Sequence, residues 1–305
     1  MRKSKIFMCM AIICALLVQP ISVSANENNN ISSLEVTEYN LKTGEMTKKS
    51  YSIDPTISST YSNNLNHTRD IIGSDEREPV DFAAGLPSSA VGLLKTRFVK
   101  DGKNYTGKGT GFLVAPNLVL TAGHCIKSSG AEPPSSITFS AGINYDGTSF
   151  YEEPVAISDA EVIVMPTEWS DNYDPNYDWA LLKLSKPLGN TIGYLSCESI
   201  VDLENTDITI YGYPLDYHTE EGAQQVTSFG KIRWNDYYQV AHDADTENGQ
   251  SGAPILKLIF TENSYYYQVV GIHTKGKDDL LDINSGVRMN AQIIGTIKLN
   301  HSIYD

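Results

Sequence analysis

The sequence predicts an all-β chain, a sandwich or barrel closed by a C-terminal helix, and three observations predict it. Short runs rich in Val, Ile, Tyr, Thr and Phe recur along the chain, clusters of Gly, Pro, Asn and Asp separate them, and no helical pattern alternates with them. In order, the runs are residues 91–99, 111–121, 137–143, 161–165, 180–184, 208–213, 225–234, 237–240, 253–259 and 265–273. The second run turns at Pro116-Asn117, so that Gly111-Phe112-Leu113-Val114 leads into Leu118-Val119-Leu120. Residues 291–299 differ: Ile293, Ile294 and Ile297 recur at helical spacing behind Asn290, whose side chain can cap a first turn.

The first 69 residues have another texture. Arg2, Lys3 and Lys5 precede an apolar run at 6–18, and Val23-Ser24-Ala25 supplies small residues where a signal peptidase cuts, so residues 1–25 read as a secretory signal. The run is too short to anchor the chain across a bilayer. Residues 26–69 are rich in Asn, Ser and Thr, are expected to bury little by themselves, and read as a propeptide ending in Thr68-Arg69. The working domain is expected at 70–305, extracellular and released from the membrane once the signal is removed.

Charge and cysteine content narrow the partners. The chain holds 23 Lys+Arg against 37 Asp+Glu, and only 5 of those acids precede residue 70. So acidic a surface disfavours nucleic acid and anionic membranes. Cys9 and Cys14 lie in the signal, which leaves Cys125 and Cys197, whose pairing the sequence does not decide. A single bridge at most means that hydrophobic burial carries the stability of a domain this long. A monomer is expected.

Two distant segments carry chemistry. Thr121-Ala122-Gly123-His124-Cys125 places an imidazole at the end of a strand, and Asp245-Thr246-Glu247-Asn248-Gly249-Gln250-Ser251-Gly252-Ala253-Pro254 places a hydroxyl in a glycine-bracketed turn. A serine is weakly nucleophilic at neutral pH, so attack by Ser251 needs a base within hydrogen-bond reach and a carboxylate to orient that base. Asp178, between Tyr177 and Trp179 and just ahead of the apolar run 180–184, suits that third role, whereas Asp171 and Asp174 lie in a looser, solvated stretch. The N–H groups of Gly249 and Ser251 can converge as an oxyanion hole, because glycine tolerates the dihedrals such a loop requires. A rival grouping of Ser251, Asp278 or Asp282, and His301 would follow the order of α/β hydrolases. Ala253 breaks the required Gly-x-Ser-x-Gly pattern, and βα alternation is missing.

At these residues the chain resembles the chymotrypsin-like serine peptidases, and more closely the secreted glutamyl endopeptidases of staphylococcal and bacillary type. The likeness runs through Ile71-Ile72-Gly73-Ser74-Asp75, residues 121–125 and 178–184, Gly212-Tyr213-Pro214, Gly230-Lys231-Ile232, residues 245–254, and Gly271-Ile272-His273-Thr274. It implies two six-stranded antiparallel β-barrels, within residues 70–195 and 196–305, with His124, Asp178 and Ser251 as the triad. It also implies a pocket in which His273, Thr246 and the amine of a freed Asp70 hold the carboxylate of a substrate Glu, and after it Asp. A buried carboxylate needs charge-assisted donors of that kind to offset its desolvation. His242 and His218 are secondary candidates for the pocket. Gly109 stands where mammalian relatives carry the partner of Cys125, and Asn248 replaces a glycine common in the bacterial family. The chemistry calls for no cofactor and no metal; the expected partners are protein or peptide substrates and a separate activating protease that cuts after Arg69. A peptidase of another side-chain preference and a peptidase-like adhesin are the alternatives.

Overall fold

Strands form where apolar and polar side chains alternate. The computed structural model describes residues 32–53, 71–276 and 283–301, apart from 73, 82, 101, 128, 131, 145–154, 201 and 219–221. The expected signal segment, Arg69, Asp70, Asp278 and Asp282 lie outside the described residues.

The chain opens with a hairpin of β1 (Ser32–Asn40) and β2 (Met46–Ile53), followed by the short β3 (Glu78–Pro79). Six strands then build the first barrel: β4 (Val91–Lys100), β5 (Lys103–Ala115), β6 (Leu118–Thr121), β7 (Ser136–Ala141), β8 (Ala156–Pro166) and β9 (Ala180–Leu184). Their order is β8-β7-β4-β5-β6-β9, and antiparallel pairing of β9 with β8 closes the ring. The helix α1 (Thr167–Asn172) follows β8, and the single-turn α2 (Gly189–Ile192) follows β9.

The second barrel repeats this plan. After β10 (Ser196–Cys197) come β11 (Asp207–Gly212), β12 (Val226–Asn235), β13 (Gln239–His242), β14 (Pro254–Phe260), β15 (Tyr265–Lys275) and β16 (Asn284–Arg288). The order is β15-β14-β11-β12-β13-β16, closed by β15 against β16, with β10 added parallel to β15 and β3 added to β12. The helix α3 (Ala291–His301) begins as the sequence predicts: the Asn290 side chain accepts from the N–H groups of Gln292 and Ile293 at 3.0 and 3.2 Å. It buries Ile293 and Ile297 in the same apolar cluster that fills the first barrel. Ile208, Ile210, Ile232, Val240 and Ile255 fill the second.

Two parts of this architecture depart from the sequence reading. The strand β16, which completes the second ring, lies in Asn284-Ser285-Gly286-Val287-Arg288, too short and polar to stand out as a strand. The hairpin lies within residues 26–69, expected to bury little by themselves, yet it is buried on the rest of the fold: Leu34 and Ile53 are 1% exposed and Val36 is fully buried. The surface these side chains need is remote in sequence. The edge of β8 supplies it, pairing Val36 with Pro166 through to Asn40 with Val162, and β2 packs on α3. Polar contacts secure the join, with Thr37 Oγ1 2.9 Å from Ser170 Oγ and Lys48 Nζ 2.6 Å from Asp171.

Burial of Val36 gives a direct test. Val36→Asp sets an unpaired carboxylate in this apolar seam and is expected to lower unfolding free energy by about 3 kcal/mol or more, while Glu35→Lys on the exposed face stays within about 0.5 kcal/mol. Urea unfolding of the full chain measures both.

Candidate active site

The chemistry-bearing side chains sit beside strand ends, on one loop and on β15. The four residues of β6 are all buried, and the chain leaves them through Ala122 into a tight turn, Gly123–Cys125, that carries His124. The ring of Trp169 on α1 meets the imidazole edge to face at 6.5 Å between centroids. Asp178 follows the turn Pro175–Tyr177 immediately ahead of β9, and only 1% of it is exposed. It spends both oxygens on one residue: Oδ1 accepts from the His124 backbone N–H and Oδ2 lies 2.8 Å from His124 Nδ1, each contact at 2.8 Å. Asp174 instead caps the turn through Asn176 N–H, and Asp171 faces Lys48.

This geometry fixes the tautomer and the charge preference of His124. With Nδ1–H donating to Asp178, Nε2 carries the lone pair and is the nitrogen that takes a proton. Burial opposes protonation of the ring, but the Asp178 carboxylate and the neighbouring Cys125 outweigh it, so the pKa is raised above the ordinary histidine value. The imidazolium that forms when the ring accepts a proton is therefore stabilised.

The loop before β14 holds Ser251 between the barrels. Its carbonyl accepts from Thr110 N–H of β5 at 2.8 Å, and the next N–H, of Gly252, donates to the carbonyl of His273 on β15 at 2.7 Å. Gly252 has φ +86°, and a Cβ there would lie 2.1 Å from Thr110 O, so no other residue fits this crossing. Ser251 is 2% exposed, and its hydroxyl makes no hydrogen bond among the described residues. The N–H groups of Gly249 and Ser251 donate to no backbone acceptor among them either.

A second cluster lies behind the same loop. His273 is fully buried, with Nδ1 3.2 Å from Nε2 of His242 on β13. Burial drives the pKa of His242 down to about 4 against the pull of Asp243 and the Ala244 carbonyl, which leaves that ring neutral. Nε2 of His242 and Nδ1 of His273 share a single proton, and the tautomer decides which ring donates it. Thr246, also fully buried, has a hydroxyl with no hydrogen-bond partner among the described residues. Next to it, the Asp245 carboxylate accepts from the N–H groups of Ile72 and Glu76 at 2.7 and 2.8 Å, which brings the start of the expected working domain to this cluster.

Sequence reasoning named His124, Asp178, Ser251, His273 and Thr246, and the structure sets them on strand ends and on one loop. It did not find Thr110, Trp169 or Asp245, because their roles are contacts across the fold. It ranked His242 with His218, yet His242 touches His273, whereas His218 faces Lys108 Nζ at 3.2 Å. His301 ends α3 and takes no part in these contacts. Cys125 and Cys197 are both free thiols, which answers the question left open by the sequence.

Comparison with known proteins finds peptidases similar to this chain. Residues 109–258 fit the family described as a trypsin-like peptidase domain. A glutamyl endopeptidase of Bacillus licheniformis is 29% identical over 232 residues, covering 75% of this chain and 68% of the relative. A Bacillus subtilis protein named extracellular metalloprotease is 28% identical over 241 residues, covering 75% and 68%. A solved structure of a Glu endopeptidase in complex with MPD aligns with a TM-score of 0.62 at 26% identity, covering 76% of this chain and 99% of that one. The two Bacillus names differ in chemistry. Here the described residues group no three His, Cys, Asp or Glu side chains in a way that would hold a metal ion, and His124 is bound to a carboxylate.

The raised pKa of His124 sets the pH dependence. A base must be neutral to accept a proton, so kcat/KM for peptide hydrolysis is expected to rise with pH through an inflection above about 6.5. Asp178→Asn removes the charge that raises it, so the inflection moves down and kcat falls by about 10⁴-fold. Initial rates measured across pH for both forms test this, and an unmoved inflection would count against the pairing.

Proposed function

We propose, from a chain that is a chymotrypsin-like serine endopeptidase, that it is secreted as a zymogen and cuts peptide bonds after Glu and, more slowly, after Asp. In this reading Ser251 attacks the scissile carbonyl, His124 takes the hydroxyl proton and returns it to the leaving amine, and Asp178 holds the imidazole in the correct tautomer. Water then hydrolyses the acyl-enzyme by the same relay. The Gly249 and Ser251 N–H groups stabilise the oxyanion, worth about 3 kcal/mol for one such donor. The observation that carries the catalytic assignment is the buried Asp178 carboxylate held by both the backbone and the ring of His124.

The acidic preference rests on the second cluster. His273 on β15 and Thr246 on the loop that carries Ser251 are both fully buried and offer an imidazole and a hydroxyl to an incoming carboxylate. Docking of Ile72 and Glu76 on Asp245 supports delivery of an ammonium from Asp70 once the bond after Arg69 is cut. A Glu-specific enzyme does not cut after Arg, so a separate protease is assigned to maturation. Export is supported by the signal-like leader, and among the described residues no helix is long and apolar enough to cross a membrane.

A panel of peptides differing only at the acyl-side residue tests the preference. Cleavage is expected after Glu, then Asp, and His273→Ala is expected to lower kcat/KM for Glu by about 10²-fold or more, leaving weak cleavage after neutral residues less affected. Ser251→Ala abolishes hydrolysis of every peptide and labelling by a fluorophosphonate. Efficient cutting after Lys or Phe with none after Glu would reject the acid pocket while leaving the triad standing.

A further inference from the structure

Arg77 is a buried charge that the catalytic scheme does not use. Its side chain is 1% exposed although it lies in an irregular stretch just after the segment docked on Asp245. Isolated, a guanidinium at that depth would be strongly destabilising. Here two carboxylates and a ring surround it. Nη1 and Nη2 donate to Asp216 Oδ1 and Oδ2 at 3.0 and 2.6 Å, a planar fork on a carboxylate, while Nε and Nη2 donate to Asp75 at 3.0 and 2.9 Å. The guanidinium also lies over the ring of Tyr217, 5.3 Å from its centroid. Arg77 thus clamps the turn Leu215–Tyr217 from one side.

The other side of that turn touches the loop of Ser251. Leu215 N–H donates to the Asn248 carbonyl at 2.6 Å. A peptide unit is planar and trans, so fixing the Asn248 carbonyl toward Leu215 turns the Gly249 N–H the opposite way. Gly249 is held tightly in that plane: its φ is +98°, and a Cβ would lie 2.4 Å from Tyr213 O and 3.0 Å from Leu215 N. Were the Asn248 carbonyl released, rotation of this one peptide would withdraw the Gly249 donor and put an acceptor in its place. Glycine at 249 makes such rotation sterically easy. Something outside the loop must therefore hold it.

We propose that Arg77 is a positioning residue for the oxyanion hole, acting through Asp216 and the turn Leu215–Tyr217 on the Asn248–Gly249 peptide. The inference rests on the assignment of the Gly249 N–H as an oxyanion donor, and it is independent of the acidic preference. It gives the segment that begins the working domain a second task beside the pocket: the same few residues that reach Asp245 also set the donor that meets the transition state.

The processed enzyme tests this with Arg77→Gln, Asp216→Asn and Arg77→Lys, each assayed on a Glu peptide well below its melting temperature. Arg77→Gln and Asp216→Asn are expected to lower kcat by about 10-fold or more with KM changed by less than about twofold, since the donor acts on the transition state and not on the bound substrate. Arg77→Lys restores part of the loss, and a peptide boronate loses affinity in step with kcat/KM. Asp216 is surface-accessible, so Asp216→Asn reports even where Arg77→Gln does not fold. A fall in melting temperature with kcat unchanged in Asp216→Asn would overturn the proposal and leave Arg77 a structural clamp. A rise in KM at constant kcat would overturn it too, placing the effect in the substrate pocket. Loss of hydrolysis in the parent enzyme would instead remove the catalytic assignment beneath it.

Discussion

The hydrogen bond from Thr110 N–H to the Ser251 carbonyl is the contact on which the rest of the site depends. Each barrel closes on its own strands, so neither ring by itself sets the distance between His124 at the end of β6 and Ser251 at the start of β14. Thr110 is fully buried and holds the second barrel at several points: its N–H takes the Ser251 carbonyl, its hydroxyl donates to Gly249 O at 2.9 Å and accepts from Tyr213 N–H at 3.0 Å. Its own carbonyl accepts from Thr121 Oγ1, on the strand that delivers His124. One residue of β5 is thereby bonded both to the strand that leads to His124 and to the loop of Ser251. The hydroxyl can satisfy a donor and an acceptor at once, which a valine of the same shape cannot.

What the sequence discloses, and what it hides, follows from the range of the interactions. Runs such as 91–99 and 180–184 become strands close to their expected bounds because alternation and turn residues are local. The cap at Asn290 is local too, and it stands as expected. The strand β16 escapes notice because Gly286 and the polar Asn284, Ser285 and Arg288 weaken its pattern, and its place is set by the two neighbours, β13 and β15, that it joins. The hairpin escapes for the opposite reason. Leu34, Val36 and Ile53 do alternate with polar residues, but so few apolar side chains predict burial only when the edge of β8 and the face of α3 are already there.

The same distinction holds in the site. His124, Asp178, Ser251, His273 and Thr246 were legible because their chemistry is unusual at their spacing. Thr110 and Trp169 look like any strand or helix residue, and Asp245 gains its role from Ile72 and Glu76, more than 160 positions away. His242 was legible only as a histidine. Its meaning comes from a register, since β13 and β15 both flank β16 and so bring the two rings to 3.2 Å.

The acidic preference proposed for this acidic protein sets up repulsion at two ranges, and they are met differently. The formal charge of −14 is spread over a surface most of which lies beyond a Debye length of about 8 to 10 Å, so salt screens it and encounter is slowed more than binding is weakened. Asp245 is the closer difficulty, being 3% exposed and adjacent in sequence to Thr246. Its two oxygens are each taken by a backbone N–H of the segment 72–76, which draws its charge toward that segment and away from an incoming carboxylate. A neutral His242 adds no charge of its own beside His273. Docking of residues 72–76 therefore does electrostatic work in the proposed scheme: it turns a buried acid from a repulsive neighbour of the proposed pocket into an anchor for the segment beside it.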